Sequence, residues 1–341
     1  MKSERVGQLD FIRAISCVFI LFTHFNAAIA GFNGNSFLFP NNTPVPIYYG
    51  GIYLGSIGVS LFFILTGASL YCSYKKNKPS ILEFYKKRVL SIFPMYWVAY
   101  IWFFSYYLLR DKALPKGELR HLLINIGGFG GYLWSLNLTE GEYYLVGEWF
   151  LGCLLCIYLI FPIIFWLYKK TKYISLPLCL LFILLPTRNM DILFINRVPE
   201  IVFGFVYIDM LANAKVQHAI IAIVTAIILY IIRSKLNSFV YAVTVSICLF
   251  VVLGVAGTFL SNSKRLYNLT RWFAGLSYPI FLVHHQVIRL IVGSFNLSMI
   301  SAPLAWSLVF VSFTIIILLA TVLKDTTTKI LLFFNKLQSE K

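Results

Sequence analysis

Long apolar stretches, separated by short polar or basic segments, follow one another along the whole chain. Ten of them can be delimited, at residues 9–30, 52–74, 91–109, 144–168, 173–186, 197–212, 217–233, 238–260, 272–293 and 302–323. A helix needs about 20 residues to cross a hydrocarbon core about 30 Å thick, and most of the stretches reach or approach that length. The pattern therefore predicts an all-α fold, a polytopic transmembrane bundle of about ten helices.

The composition agrees with a membrane protein and excludes a soluble enzyme. Apolar residues make up 59% of the 341 residues and charged residues only 12%, whereas soluble domains are about 45–50% apolar and about 25% charged. The chain carries 29 Lys and Arg against 13 Asp and Glu, a net charge of +16. In a soluble protein this excess would suggest nucleic acid, but in so apolar a chain it indicates basic cytoplasmic loops. No nucleic-acid partner is expected.

The distribution of basic residues predicts the orientation. With the N-terminus inside, about two thirds of the Lys and Arg residues fall on cytoplasmic segments. This bias predicts an N-in, C-in topology with an even number of helices. Residues 1–325 are then one transmembrane domain, and residues 326–341 form a short amphipathic cytoplasmic tail.

The first stretch has a second interpretation, as a cleaved signal peptide. Lys2 and Arg5 precede an apolar run, and Ala28-Ile29-Ala30 has the small-residue pattern of a cleavage site. Against this interpretation, charged residues lie where the apolar run begins.

Two ionisable residues of the first stretch lie on one helix face. A charge at mid-membrane costs at least about 2.5–3.5 kcal/mol, so each such residue is a functional candidate. Arg13 and His24 are eleven residues apart, which on an α-helix leaves them about 20° apart in direction and about 16 Å apart along the axis. This geometry suits the two ends of one long ligand. The structural alternative is that Arg13 reaches the inner headgroups and His24 caps the outer end of the helix.

Other apolar stretches supply further charged candidates. Glu148, Arg197, Glu200 and His284 are expected toward the middle and outer side of the membrane, where buried charges need partners. Glu148 is a catalytic candidate, and the other three are candidates for binding a substrate. An ion pair, for example between Glu200 and Arg197, is the structural alternative. His284 and His285 point in different directions on a helix, so at most one is expected to face the site.

Three further features of the sequence bear on ligand binding. The basic segment 75–90 fits cytoplasmic topology and anionic lipid, or alternatively phosphates of a cytosolic nucleotide, for which Arg88 has the best donor geometry. Cys153 and Cys156 have metal-ligand spacing, but on an apolar helix they are more typical of packing, and no metal is expected. The glycine-rich segment 127–131 lacks the residues of a phosphate loop and predicts a flexible or re-entrant loop.

Several motifs together resemble the membrane-bound acyltransferase 3 family. In chain order they are L-D-x-x-R-A at 9–14 with His24, G-V-S-L-F-F-I-L-T-G at 58–67, F-x-x-x-R with I-x-P-x-Y-W at 84–97, E-W-F-L with Y-L-x-x-P at 148–162, R-x-P-E-x-x-x-G at 197–204 and L-S-Y-x-x-F-L-x-H at 276–284. Each motif alone is weak, whereas six in family order are specific. Ser60 and Ser91 stand where many members carry Asp and Arg.

The resemblance implies a ten-helix enzyme of the plasma membrane. It implies transfer of an acyl group, usually acetyl, from cytosolic acyl-CoA to a hydroxyl of a surface glycan or its lipid-linked precursor. In this hypothesis Arg13, with Arg88, holds the donor phosphates and His24 acts as general base. Glu148 or Glu200 orients His24 or the sugar. Direct transfer is the default because no Ser or Cys stands out as a nucleophile, and an acyl-histidine intermediate is the alternative.

A transporter or flippase for a polar or glycan-lipid substrate is the competing function. It would equally explain charges at the membrane midplane. It predicts inverted internal repeats with interrupted helices in corresponding halves, and the sequence shows no such pairing.

Overall fold

The computed structural model describes residues 2–33, 36–77, 79–112, 118–141, 143–175, 177 and 191–339, and the chain is mostly helical. Within these residues, six helices are long and apolar enough to cross a membrane. They become seven if the bent pair Lys264–Ala274 and Ser277–Val292 forms one span. The all-α membrane fold is therefore confirmed, while the number ten and the N-in, C-in orientation stay predictions. Most of the fifth apolar stretch, 173–186, lies outside the described residues.

The helices follow the predicted stretches closely at most positions. In chain order they are α1 (Lys2–Ile29), α2 (Leu54–Asn77), α3 (Ile81–Asp111), α4 (Leu119–Ile126), α5 (Gly130–Ser135), α6 (Glu148–Thr171), α7 (Val198–Val206), α8 (Val216–Ile231), α9 (Ser238–Ser261), α10 (Lys264–Ala274), α11 (Ser277–Val292) and α12 (Ala302–Ser339). Two short antiparallel hairpins lie between α1 and α2. They pair β1 (Phe32–Asn33) with β2 (Ser36–Phe37) and β3 (Tyr48–Tyr49) with β4 (Ile52–Tyr53).

The last helix is longer than the predicted span. Helix α12 runs without interruption from Ala302 to Ser339, so the predicted tail 326–341 continues the same helix as the final apolar stretch as far as the structure describes it.

The chain divides into two compact units. The first unit comprises Met1–Thr23, Val45–Pro79 and Cys156–Ser277. The second unit comprises His24–Pro44, Ser80–Leu155 and Tyr278–Lys341. Helices α1 and α6 each contribute residues to both units.

Helix α2 is central to the first unit, where it packs against α7 and α9. Gly67 of α2 and Gly204 of α7 permit this close approach, because a Cβ atom at either position would overlap the backbone of the facing helix. Small residues serve this purpose in membrane helix pairs generally. Helix α8 packs against α9 in the same unit.

In the second unit, α3 is hydrogen-bonded to the end of the short helix α4. Helix α3 begins with a capping box in which the Ser80 hydroxyl accepts from the Glu83 backbone N–H and the Glu83 carboxylate accepts from the Ser80 backbone N–H. Further along, the hydroxyl of Tyr96 donates to the carbonyl of Asn125, and the indole N–H of Trp97 donates to the carbonyl of Ile126. The glycine-rich segment 127–131 therefore runs from the end of α4, which is bonded to α3, into α5, which begins at Gly130.

Candidate active site

Three helices of the second unit bring two histidines to one carboxylate. His24 lies near the end of α1, Glu148 is the first residue of α6, and His284 lies in the middle of α11. Nε2 of His24 lies 3.3 Å from Oε2 of Glu148, and Nε2 of His284 lies 3.4 Å from Oε1 of the same carboxylate. The structure thus joins three of the residues that the sequence predicts for the site.

The backbone that presents Glu148 is strained. Gly147 has a φ of +97° and Glu148 itself has a φ of +29°, in the left-handed region that non-glycine residues rarely adopt. Such a conformation costs on the order of 1–3 kcal/mol and occurs most often at functional sites. In this conformation, which departs from a regular helical turn, the carboxylate faces the two histidines.

Gly131 of α5 lies against the same turn. A Cβ atom built at this position would lie 2.7 Å from the carbonyl carbon of Glu148 and 2.8 Å from a ring carbon of Tyr144. Both distances are shorter than real Cβ contacts, so only glycine fits without a shift. The glycine-rich segment therefore contributes to the site by close packing against the start of α6.

The ring of His284 is oriented from its other side by the backbone of its own helix. Its Nδ1 atom lies 2.9 Å from the carbonyl oxygen of Phe281 and 3.1 Å from that of Ile280. A carbonyl oxygen only accepts, so Nδ1 carries a proton and donates it. His284 is completely buried, whereas 23% of the His24 side chain is exposed.

His285 also reaches the site, which corrects the prediction that at most one of the two adjacent histidines faces it. The ring centre of His24 lies 4.9 Å from that of His284 and 5.3 Å from that of His285. Adjacent side chains diverge by about 100° on a helix, and the His24 ring lies close enough to α11 to contact both. The only sequence signal for this contact was the adjacency of the two histidines.

Arg13 and Arg88, the candidates for donor phosphates, have different surroundings. In the first unit, Nη1 of Arg13 lies 2.9 Å from Oδ1 of Asp10 and Nη2 lies 3.3 Å from Oγ of Ser69. The Arg13 side chain nevertheless stays 29% exposed. In the second unit, Arg88 is half-buried on α3, with its guanidinium 5.7 Å from the ring centre of Phe84. The Arg13 guanidinium thus has a fixed orientation, and its side chain is still partly exposed to a ligand.

Arg197 and Glu200 form a buried ion pair within the first unit. Nη1 of Arg197 lies 3.0 Å from Oε1 of Glu200, and their side chains are only 3% and 0% exposed. The guanidinium also donates to the backbone carbonyl of Asp191 and lies between the rings of Phe63 and Phe239. The structure therefore contains the ion pair that the sequence left open as the structural alternative.

Comparison with known proteins identifies the family of the chain. The model of the acyltransferase 3 family, described as "Acyltransferase domain", matches residues 6–324. The chain belongs to the acyltransferase 3 family. Among curated proteins it is similar to "Acyltransferase MdmB" of Streptomyces mycarofaciens, with 30% identity over 122 residues. That alignment spans 34% of this chain and 30% of the relative. No solved structure shows a significant match.

Family membership is thus combined, in the described part of the chain, with six helices that are long and apolar enough to cross a membrane. Within the part of the chain that the structure describes, the polar cluster around Glu148 contains residue types that serve in acid–base chemistry. An imidazole with one nitrogen directed at a carboxylate is the usual general base for a hydroxyl.

Proposed function

We propose that this acyltransferase 3 protein transfers an acetyl group from acetyl-CoA to a hydroxyl of a cell-surface polysaccharide or its lipid-linked precursor, at the plasma membrane. The observation that supports the proposal most directly is the His24–Glu148 pair, whose facing side-chain atoms lie 3.3 Å apart. Because acyl transfer to oxygen needs a base for the hydroxyl proton, a histidine held by a carboxylate fits the reaction.

In the proposed reaction, the acceptor hydroxyl attacks the carbonyl carbon of the thioester while His24 takes the hydroxyl proton. Nε2 of His24 faces Glu148, so Nδ1 is the nitrogen that accepts this proton. The carbon–sulfur bond then breaks, and the imidazolium returns the proton to the departing CoA thiolate. The products are the O-acetyl ester and the CoA thiol. General-base assistance of this kind contributes roughly 10²–10⁴-fold to the rate.

Arg13 and Arg88 are proposed to bind the phosphates of the donor. A guanidinium presents a planar fork of donors that matches phosphate oxygens in two places at once. Arg13 has both the exposure and the fixed orientation for this role. It shares the continuous helix α1 with His24, so one helix would carry both a donor-binding and a catalytic residue.

The acceptor-binding roles of Arg197, Glu200 and His284 are proposals of a different kind. The first two side chains are almost completely buried and paired with each other. Their contribution to acceptor binding would therefore pass through the packing of α2 and α7 more than through direct contact. His284 is considered separately below.

The proposal is tested with radiolabelled acetyl-CoA and membranes that contain either the wild-type protein or His24→Ala. We expect label to enter the glycan fraction only with the wild type, at equal amounts of membrane-inserted protein. His218→Ala is the matched control, because His218 lies at the start of α8, where its Nδ1 accepts from the Lys215 backbone N–H. Glycan labelling at the wild-type rate by His24→Ala would refute the assignment. Substrate movement across the membrane without consumption of acetyl-CoA would favour a transporter or flippase.

A further inference from the structure

We propose that His284 is a positioning residue, which holds Glu148 through a proton shared between Nε2 of His284 and Oε1 of Glu148. This inference rests on the proposed function, since it concerns how Glu148 is oriented toward His24. It assigns His284 to the carboxylate rather than to the acceptor.

The backbone contacts of His284 determine its tautomer. Both backbone carbonyls near Nδ1 are acceptors, at 2.9 and 3.1 Å, so the Nδ1 position is protonated. In a neutral imidazole the other nitrogen then has a lone pair and no proton. The Nε2 atom of a neutral His284 therefore presents an acceptor to Glu148.

This tautomer places two hydrogen-bond acceptors, Nε2 of His284 and Oε1 of Glu148, opposite each other. Nε2 of His284 and Oε1 of Glu148 are both buried, and neither finds a hydrogen-bond partner among the residues that the structure describes. They lie 3.4 Å apart. Two facing lone pairs repel each other, and an unpaired polar atom in an apolar interior is costly. One proton between the two atoms removes both problems.

The net charge of the buried cluster also favours one additional proton. The ionisable groups that face His284 are Glu148 on α6, His24 on α1 and its neighbour His285 on α11. With neutral histidines and an ionised Glu148 the cluster would carry one net negative charge inside an apolar bundle, which is unfavourable. The shared proton makes the cluster neutral.

In this arrangement each carboxylate oxygen of Glu148 has one histidine as its partner. Oε1 is held by His284, and Oε2 is left to accept from the Nε2 proton of His24, 3.3 Å away. The Nδ1 atom of His24 then remains available for the acceptor hydroxyl. The shared proton stays between Glu148 and His284 throughout, because the proton that moves during transfer comes from the hydroxyl and goes to the CoA thiolate.

Two amide substitutions distinguish this role from a purely structural one. In His284→Gln the amide N–H group reaches the former Nε2 position and donates to Glu148. In His284→Asn the amide reaches only the former Nδ1 position, so the contact with the Phe281 carbonyl is kept and the contact with Glu148 is lost. We expect His284→Gln to keep kcat within about tenfold of the wild type, whereas His284→Asn loses about 100-fold or more in kcat with little change in KM.

The opposite ranking, with His284→Asn active and His284→Gln inactive, would overturn the proposal in favour of packing and the backbone contact. Equal activity of both variants at the wild-type rate would also overturn it. Failure of the proposed function is recognised separately, because His24→Ala would then still label glycan.

A divalent cation is the competing occupant of the same gap, since atoms of His24, Glu148 and His284 lie within 4.8 Å of one another. Metal analysis of the purified protein and activity after treatment with a chelator distinguish the two. We expect less than one-tenth equivalent of bound metal and full activity after chelation. A stoichiometric metal whose removal abolishes activity would refute the shared proton.

Discussion

Arg13 has a guanidinium that is oriented by two neighbours and still open to a ligand. Asp10 and Ser69 fix its two terminal nitrogens, while 29% of the side chain is exposed. Lysine would keep the charge but replace the planar fork by a single ammonium. We therefore expect Arg13→Lys to raise the KM for acetyl-CoA about tenfold while kcat changes little, as measured by initial rates in membranes.

Arg120→Lys is the matched control for Arg13→Lys, because Arg120 is an exposed residue of α4 that pairs with the exposed Glu118. It should leave the KM for acetyl-CoA unchanged. A KM for Arg13→Lys equal to that of the wild type would contradict a role in donor binding.

The sequence indicated residues that the structure brings together, but it did not indicate their arrangement. His24, Glu148 and His284 stood out because ionisable side chains are rare in apolar helices. Their mutual distances depend on how α1, α6 and α11 pack, and these helices are far apart in the sequence. The contact of His285 with His24 and the positive φ of Glu148 were unpredictable for the same reason, since both depend on tertiary packing.

At the scale of elements, helix α5 supports the start of α6. Alanine at Gly131 would place a Cβ 2.7 Å from the Glu148 backbone, so the turn that carries the carboxylate would have to move. Displacement of a catalytic group by about 1 Å can cost about 100-fold in rate. We expect Gly131→Ala to lower kcat by about tenfold to 100-fold, with normal membrane insertion.

The neighbouring glycine offers a matched control for this prediction. A Cβ at Gly127 meets no atom closer than 3.4 Å, and its φ of −73° suits any residue. Gly127→Ala should therefore keep wild-type kcat. Equal rates for the two alanine variants would show that close packing at Gly131 has no effect on the site.

The glycines also show how far element prediction reached. The sequence excluded a phosphate loop at 127–131 and predicted an irregular or re-entrant connection, but it did not indicate that Gly131 contacts the start of α6. Similarly, Gly67 and Gly204 belong to the family motifs, yet only the packing of α2 against α7 gives them a physical reason. The sequence identifies the glycines, but which helix packs against each of them depends on the tertiary structure.

At the scale of the whole molecule, the hydrophobic pattern predicted the fold class, while the number of spans stays a prediction. The sixth apolar stretch, 197–212, is the nine-residue helix α7 followed by a π-helical turn at Tyr207–Leu211. The seventh stretch, 217–233, corresponds to α8 with 16 residues. Each is shorter than the roughly 20 residues that a regular span needs. Apolar character alone did not distinguish these short segments from full spans.

The orientation of the molecule is the remaining prediction at this scale. The excess of basic residues in segment 75–90 predicts that the end of α2 is cytoplasmic, and the same topology places α4 outside. Single cysteines at Lys76 and at Arg120, both exposed, test this with a membrane-impermeant maleimide. We expect Arg120→Cys to react in intact cells and Lys76→Cys only after permeabilisation, relative to the wild-type background. The wild type is the necessary reference because Cys72 and Cys156 are only half-buried, whereas Cys17, Cys153 and Cys248 are buried. Reaction of Lys76→Cys but not Arg120→Cys in intact cells would invert the topology and place the basic segment on the outside, where cytosolic acetyl-CoA could not reach it.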